Sequence, residues 1–248
     1  MAYEALAASY DRLTNDIPYE EILTFYRRIW TEFGFRPETA VDLACGTGSM
    51  ALLLAEAGLS VTGVDQSEEM LTVAYEKAME LQNPPYFVRQ KLQQLRLPRP
   101  VDLAVCCLDG MNYVTDPAQL RTVLVRVYKA LNPGGLFIFD VNTEAKLSSL
   151  DGQIFVDEDE EVFCLWRAAY SPETRLIRYG MDIFQKQGKL WTRSREEHLE
   201  YAYRLDELTQ WLQEAGFRDV HAYGDRRMDA PAPKEQRIFI AAKKEITK

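Results

Sequence analysis

Apolar and polar positions change period several times along this chain of 248 residues, and each change marks an element. Residues 2–13 are apolar at helical spacing and carry Tyr3 and Tyr10. After Pro18 a second helix is predicted over residues 19–33, ended by Gly34. Short apolar runs then alternate with helical segments. Strands are predicted over residues 40–43, 59–64, 86–88, 100–108 and 136–141, and helices open at Ser49, Ser67 and Pro117. Near-continuous apolar strands separated by helices imply a buried parallel sheet, hence an α/β fold. From about Ile154 to Tyr203 the period drops to two: Ile177, Tyr179, Met181 and Ile183 face one way, with Leu176, Arg178 and Asp182 between them. Turns at Ser171-Pro-Glu-Thr174 and Gln187-Gly-Lys189 divide this stretch into three antiparallel strands, over residues 161–170, 174–185 and 190–203. A helix over residues 206–215 and strands over 217–223 and 237–242 close the chain. The expected organisation is one core built from residues 1–150 and 204–248, with residues 151–203 inserted as a separate antiparallel sheet.

The first strand runs into Val41-Asp-Leu-Ala-Cys-Gly46-Thr-Gly48-Ser49. Glycine tolerates strained turn dihedrals and lets a ligand touch bare backbone. The second strand carries Asp65 to its tip, completing a nucleotide-type βαβ unit with an acid placed for ribose hydroxyls. Gly46-x-Gly48-x-x-Ala51 also satisfies the relaxed dinucleotide fingerprint, which alone is a weak signal. Asp42 changes that reading, because a carboxylate at the strand end repels a pyrophosphate. It suits a ligand whose end carries an ammonium and a sulfonium, as S-adenosylmethionine does, with an adenosine for Asp65. Val41-Asp-Leu-Ala-Cys-Gly-Thr-Gly48 resembles the first motif of the class I S-adenosylmethionine-dependent methyltransferases. Leu131-Asn-Pro-Gly-Gly-Leu136 and the closing hairpin are similar to further parts of the pattern. The resemblance implies a Rossmann-like, seven-stranded, mostly parallel sheet with a C-terminal antiparallel hairpin, and an inserted antiparallel β cap as in a bacterial branch of the family. A nicotinamide dehydrogenase is left as the remote alternative.

On this reading Asp42, Ala44, Gly46, Gly48, Asp65 and Gln66 contact the cofactor S-adenosyl-L-methionine. Met70 is placed to lie against adenine, although a methionine at helical spacing is more often plain core. Related enzymes often place an acid near position 91 for the adenine amino group. This chain has Lys91, which cannot accept, so Gln90, Gln93 or the backbone at Leu92 takes the contact. Leu108 and Asp109 end the fourth strand at the same edge. Tyr10-Asp11 has two readings, a helix packing its aromatic on the sheet or, by resemblance, a pair folding over the methionine end of the cofactor. Asp109 is the first candidate for a general base, followed by Tyr10 or Tyr113. Asn112, Tyr113, Asn142, Trp166 and Arg167 are expected on the substrate side, with a turn or cap residue as the alternative for Asn112 and a half-buried lid for Tyr113. His198, among Glu196, Glu197 and Glu200, reads as an ion-paired surface histidine and ranks behind the other bases. His221 reads as structural, and the acidic run 157–161 as a solvated turn.

Composition narrows the acceptor more than the fold. The formal net charge is −9 and no run of Lys or Arg stands out, which disfavours a nucleic-acid partner. A small molecule methylated on nitrogen, oxygen or carbon is therefore expected. A tRNA or protein methyltransferase and a non-catalytic S-adenosylmethionine-binding protein stay open as alternatives. Four cysteines without a C-x-x-C pair and only two histidines argue against a metal site and for reduced thiols. With no basic-then-apolar leader and no apolar run long enough for a bilayer, a cytoplasmic protein without membrane contact is expected. The insertion reads most simply as a cap over the pocket, with a dimerisation ribbon, and hence a homodimer, as a compatible alternative.

Overall fold

The computed structural model describes residues 7–246, apart from the side chains of residues 8 and 9. Tyr3 and the start of the expected first helix lie outside the described residues. The first half of the chain forms α1 (Ala7–Leu13), α2 (Tyr19–Glu32), β1 (Thr39–Leu43), α3 (Ser49–Glu56), β2 (Ser60–Asp65), α4 (Glu68–Ala78), β3 (Tyr86–Arg89) and a 3-10 turn at Leu92–Gln94. Then come β4 (Val101–Cys106), α5 (Pro117–Ala130), β5 (Leu131–Asn142) and α6 (Glu144–Ser149). The inserted sheet is β6 (Ile154–Glu158), β7 (Val162–Ser171), β8 (Leu176–Gln187) and β9 (Leu190–Tyr201). The chain ends in α7 (Leu205–Ala215), β10 (Phe217–Tyr223) and β11 (Arg237–Lys244).

Seven strands form one sheet in the order β10-β11-β5-β4-β1-β2-β3. β1 pairs in parallel with both β2 and β4, whereas β11 runs antiparallel to β5 and β10. Alternate residues of the central strands feed opposite faces, as a strand period of two requires. Leu103, Val105, Ile138 and Phe239 pack with Phe25 and Ile29 of α2 and Leu54 of α3. Ala104, Cys106, Phe137 and Phe139 pack with Leu120, Val123 and Leu124 of α5 and Leu208 and Leu212 of α7. The expected Rossmann-like sheet with its closing hairpin is thus the observed one. Strand order reverses between β1 and β4, so their carboxyl ends frame the crevice where such sheets place ligands. Asn132-Pro-Gly-Gly135, expected to precede the fifth strand, interrupts it instead: Leu131 pairs with Val101, and pairing resumes at Leu136 with Leu103.

The insertion has four strands, ordered β6-β7-β8-β9, where the alternation predicts three. The extra one, β6, is a five-residue edge strand. It carries Asp157 and Glu158, part of the run expected as a turn. The turn itself is confined to residues 159–161, where Asp159 Oδ1 accepts from the amides of Glu161 and Val162 (2.7 and 2.8 Å). The sheet's inner face holds Cys164, Met181 and Ile183, against which Tyr10, Leu13 and Trp166 pack. A second inner cluster joins Ala168 and Ile177 to Leu147 and Ala202, with Tyr179 against it. The helix α1 therefore sits between the inserted sheet and the main one.

Candidate active site

At the carboxyl ends of β1 and β4 the backbone is strained in the same way. Ala44 (φ 53°) follows β1, and Leu108 and Asp109 (φ 57° and 54°) follow β4. A non-glycine residue in the left-handed region costs on the order of 1–2 kcal/mol. Such strain persists where the surroundings enforce it. The enforcement after β4 is visible: the amides of Leu108 and Asp109 donate to Oδ1 and Oδ2 of Asp140 on β5, at 2.7 and 3.0 Å. Gly110 lets the two strand ends close up, because a Cβ there would meet Cys106 Sγ at 2.6 Å and Ala44 Cβ at 3.1 Å.

Between these ends lies a cleft enclosing about 1020 Å³ of non-atom space, its open mouth included. Of the residues singled out from sequence, Tyr10, Asp42, Ala44, Gly46, Asp65, Gln66, Met70, Gln90, Leu92, Leu108 and Tyr113 line it. Tyr19, Thr47 and Val114 line it as well, and nothing in their spacing marked them. Gly48 does not line it. With φ at 80° it opens α3, and a Cβ there would stand 3.0 Å from Ala74 and Phe87, so its part is turn and packing.

Two carboxylates look into the cleft in different states. Asp65 is held: Oδ2 accepts from the Gly46 amide (2.9 Å) and Oδ1 from the Ser67 amide (2.8 Å). A carboxylate has about four lone-pair sites, so capacity for hydroxyl donors remains. Asp42 is 1% exposed, and its Oδ2 has no hydrogen-bond partner among the described residues. Burial, then the charge of Asp65, pushes its pKa up to about 8. An orphaned buried acceptor beside a cleft fits a cationic ligand group. Tyr10 is held over the cleft by its neighbour. Asp11 accepts from Thr47 Oγ1 (2.5 Å) and from Lys77 Nζ (2.7 Å), so the pair latches α1 to the glycine turn and α4.

Met70 is 2% exposed, as a core methionine would be, and it also lines the cleft. Gln90 is committed locally, donating to the Arg96 carbonyl and accepting its amide.

Several expected site residues do other work. The Asp109 carboxylate accepts from Arg237 at 2.7 Å, and Arg237 also holds the buried Asp140, so Asp109 is part of a half-buried ion cluster rather than a free base. Arg237, in β11, lies 128 positions away and carried no local signal. Burial and nearby acids push the phenols of Tyr10 and Tyr19 well up, which makes them donors rather than bases at neutral pH. Asn112 is fully buried: its amide donates to the carbonyls of Asn142 and Tyr201 (2.9 Å each) and accepts from the Asn142 amide (3.0 Å). It ties β5 to β9 and does not face the cleft. The Asn142 side chain donates to Glu200 (3.2 Å), a buried acid whose pKa burial and then Asp109 push well up. Trp166 and Arg167 are consecutive in β7 and must point to opposite faces. Trp166 packs inward, whereas Arg167 lies outside, bonded to Asp182 together with Arg193 and Arg195. His198 is the reverse case. It is 1% exposed, not a surface group, and its Nε2 lies 2.9 Å from Glu196 Oε2. His221, in β10, lies 3.1 Å from Glu32. Among the described residues no group of three His, Cys, Asp or Glu side chains can hold a metal, and no helix is long and apolar enough to cross a membrane.

A glycine turn and two acids, one with an unpartnered oxygen, at a parallel-sheet switch point are the arrangement expected of a site for a cationic nucleoside ligand. A family model described as a methyltransferase domain matches residues 40–135. A protein of Geobacillus sp. carrying the name "Putative methyltransferase" is 32% identical over 248 residues, covering 98% of this chain and 100% of its own. The crystal structure of an S-adenosylmethionine-dependent methyltransferase from Clostridium acetobutylicum superposes with a TM-score of 0.87 at 29% identity, over 99% of this chain and 100% of that one. A demethylmenaquinone methyltransferase of Staphylococcus aureus is 28% identical over 235 residues, 88% of this chain and 84% of its own. The chain belongs to the S-adenosylmethionine-dependent methyltransferases.

Proposed function

We propose that the acceptor is a small molecule bound between the cofactor cleft and the inner face of the inserted sheet. The observation that carries this reading is the position of Tyr113, which lines the cleft and whose hydroxyl lies 3.4 Å from His198 of that sheet. The inserted sheet then acts as a cap, and residues 151–203 form the substrate-side unit. The Staphylococcus aureus relative, whose name gives a quinone as its substrate, supports the class of acceptor. So does the acidic balance of the chain, which offers no basic track for a phosphate backbone.

When bound, S-adenosylmethionine supplies an electrophilic methyl on a positively charged sulfur. The protein's share is to orient and to exclude water, worth on the order of 7–11 kcal/mol of barrier where alignment is good. Asp42 pairs with the ammonium, Asp65 with the ribose hydroxyls, and Gln93 or the Leu92 backbone with adenine. Tyr10, latched through Asp11, closes the methionine end. The test is methyl transfer from radiolabelled S-adenosylmethionine to a panel of amines, hydroquinones and amino sugars, with bulk tRNA and a protein extract in parallel. Label in one small-molecule class supports the proposal. Label only in tRNA or protein overturns it, and binding without label in any arm would favour a non-catalytic role.

A further inference from the structure

Alternation along β9 sends Glu196, His198 and Glu200 to the inner face and Arg193, Arg195 and Glu197 outward. The inner trio is buried between the inserted sheet and the turn after β4. His198 Nε2 lies 2.9 Å from Glu196 Oε2, and Glu196's side chain is only 4% exposed. With Glu196 ionised it can only accept, which puts the proton between them on Nε2. In the neutral ring that leaves Nδ1 an acceptor, and it faces the Tyr113 hydroxyl at 3.4 Å, the rings meeting edge-on with centroids 5.8 Å apart. Tyr113 is the member of this chain that reaches the cleft. Tyr179, paired with His198 across the strands, Glu200, Cys164, Asp157 and Tyr170 share this face by register, and Tyr10 packs against it.

We propose that Tyr113, His198 and Glu196 form a proton relay for the methyl acceptor, with Tyr113 the catalytic residue and His198 and Glu196 positioning it. The proposal rests on the methyl-transfer reading of the cleft. It points to acceptors that lose a proton on methylation, such as amines, phenols or hydroxyls. The balance is closed. The acceptor atom gains the methyl, and the C–S electron pair stays on sulfur as a neutral thioether. The acceptor's proton passes to Tyr113 Oη as the tyrosine proton passes to His198 Nδ1. The resulting imidazolium faces Glu196, which stabilises it in the manner of the acid behind a catalytic histidine. Product release reopens the cleft and returns the proton to water. The alternative, a structural histidine, explains the Glu196 contact but not why the unprotonated nitrogen is turned to a cleft-lining hydroxyl.

With two histidines in the chain, the full-length protein labelled with nitrogen-15 at histidine gives few signals, and His221→Gln assigns them. The relay requires His198 at pH 7.5 with Nε2 protonated and Nδ1 unprotonated. The opposite tautomer overturns it. This measurement needs no acceptor, so it stands even if the acceptor panel yields none. With a labelled acceptor in hand, Tyr113→Phe and His198→Gln should lower kcat by about 10²–10⁴-fold, the usual range for a lost acid–base group. Binding of S-adenosylmethionine should stay unchanged. Glu196→Gln should move the acidic limb of the kcat profile to lower pH, because the imidazolium loses its counter-charge. An unchanged kcat and pH profile in His198→Gln, folded by thermal melt, refutes the relay.

Discussion

Asp42 gives the sharpest expectation, because its charge state and its proposed role are in conflict until the ligand arrives. In the ligand-free protein its pKa is pushed up to about 8, by burial first and by Asp65 second. An ammonium needs the carboxylate. Only the ionised fraction is competent to bind, about one in ten at pH 7 and one in a hundred at pH 6, and apparent affinity falls in proportion. The dissociation constant for S-adenosylmethionine should therefore rise about tenfold from pH 7 to pH 6, roughly 1.4 kcal/mol. Close to one proton should be released per ligand bound over that range. Calorimetry in two buffers of different ionisation enthalpy reads both quantities, and the ligand's own ammonium keeps its proton in this window. In Asp42→Asn the slope and the proton release should vanish. At pH 8 the variant should bind about 10–100-fold more weakly, the worth of one hydrogen bond to a charged group. Stability moves the other way. A carboxyl whose folded pKa lies above its unfolded one costs stability as pH rises from about 4 to about 8, by several kcal/mol in all. Asp42→Asn should thus stabilise the free protein at pH 8 and leave it nearly unchanged at pH 4. A wild-type affinity flat between pH 6 and 7, with no proton released, would refute the assignment of Asp42 to the ammonium.

Asp65→Ala removes the acceptor of the Gly46 and Ser67 amides as well as the ribose partner, so affinity for S-adenosylmethionine should fall by more than about tenfold, with a lower melting temperature; unchanged affinity by calorimetry would remove Asp65 from the site. Arg237→Met leaves Asp109 and Asp140 buried without their cation and should cost about 3–5 kcal/mol in urea unfolding near neutral pH. That loss should shrink on acidification as Asp140, whose pKa burial pushes up, takes up its proton. Asp11→Ala frees α1 from Thr47 and Lys77; because the latch is half exposed, the loss in cofactor affinity should be modest, about 0.2–1 kcal/mol, with faster limited proteolysis of the segment before α2.

What could be read along the chain was whatever physics writes locally. Strand periods, helix stops and the glycine turn depend on neighbours in sequence, and these predicted the strands, a buried parallel sheet and the Asp42–Asp65 pair at its edge, while the seven-stranded order with its closing hairpin came from the family resemblance. The acceptor side depends on partners far apart in the chain. Asp109 looked like a base because nothing near it announced Arg237, and Asn112 looked like a substrate contact because its partners Asn142 and Tyr201 lie 30 and 89 positions on. His198 shows the same gap in reverse. Three flanking glutamates suggested an ion-paired surface histidine, but period two splits them, and the face carrying Glu196 and Glu200 is the buried one. The alternation was legible, whereas which face met the core was not.

These buried groups also explain how one cleft can hold a cation and still take a proton from an acceptor. On the cofactor side the acids are near or at the cleft wall, and the positive charge they need arrives with the ligand. On the far side of the Leu108–Asp109 turn, Arg237 pairs with both Asp109 and Asp140, and burial, then the charge of Asp109, pushes the pKa of Glu200 up. A carboxylate left free there would compete for the same cation and draw the ligand out of register. With Asp109 and Asp140 tied to Arg237, the proposed relay leaves His198, reached through Tyr113, as the base facing the acceptor. A variant that frees Asp109, such as Arg237→Met, should therefore disturb where the cofactor sits as well as how firmly the sheet holds. Its loss of turnover should exceed what its stability alone accounts for.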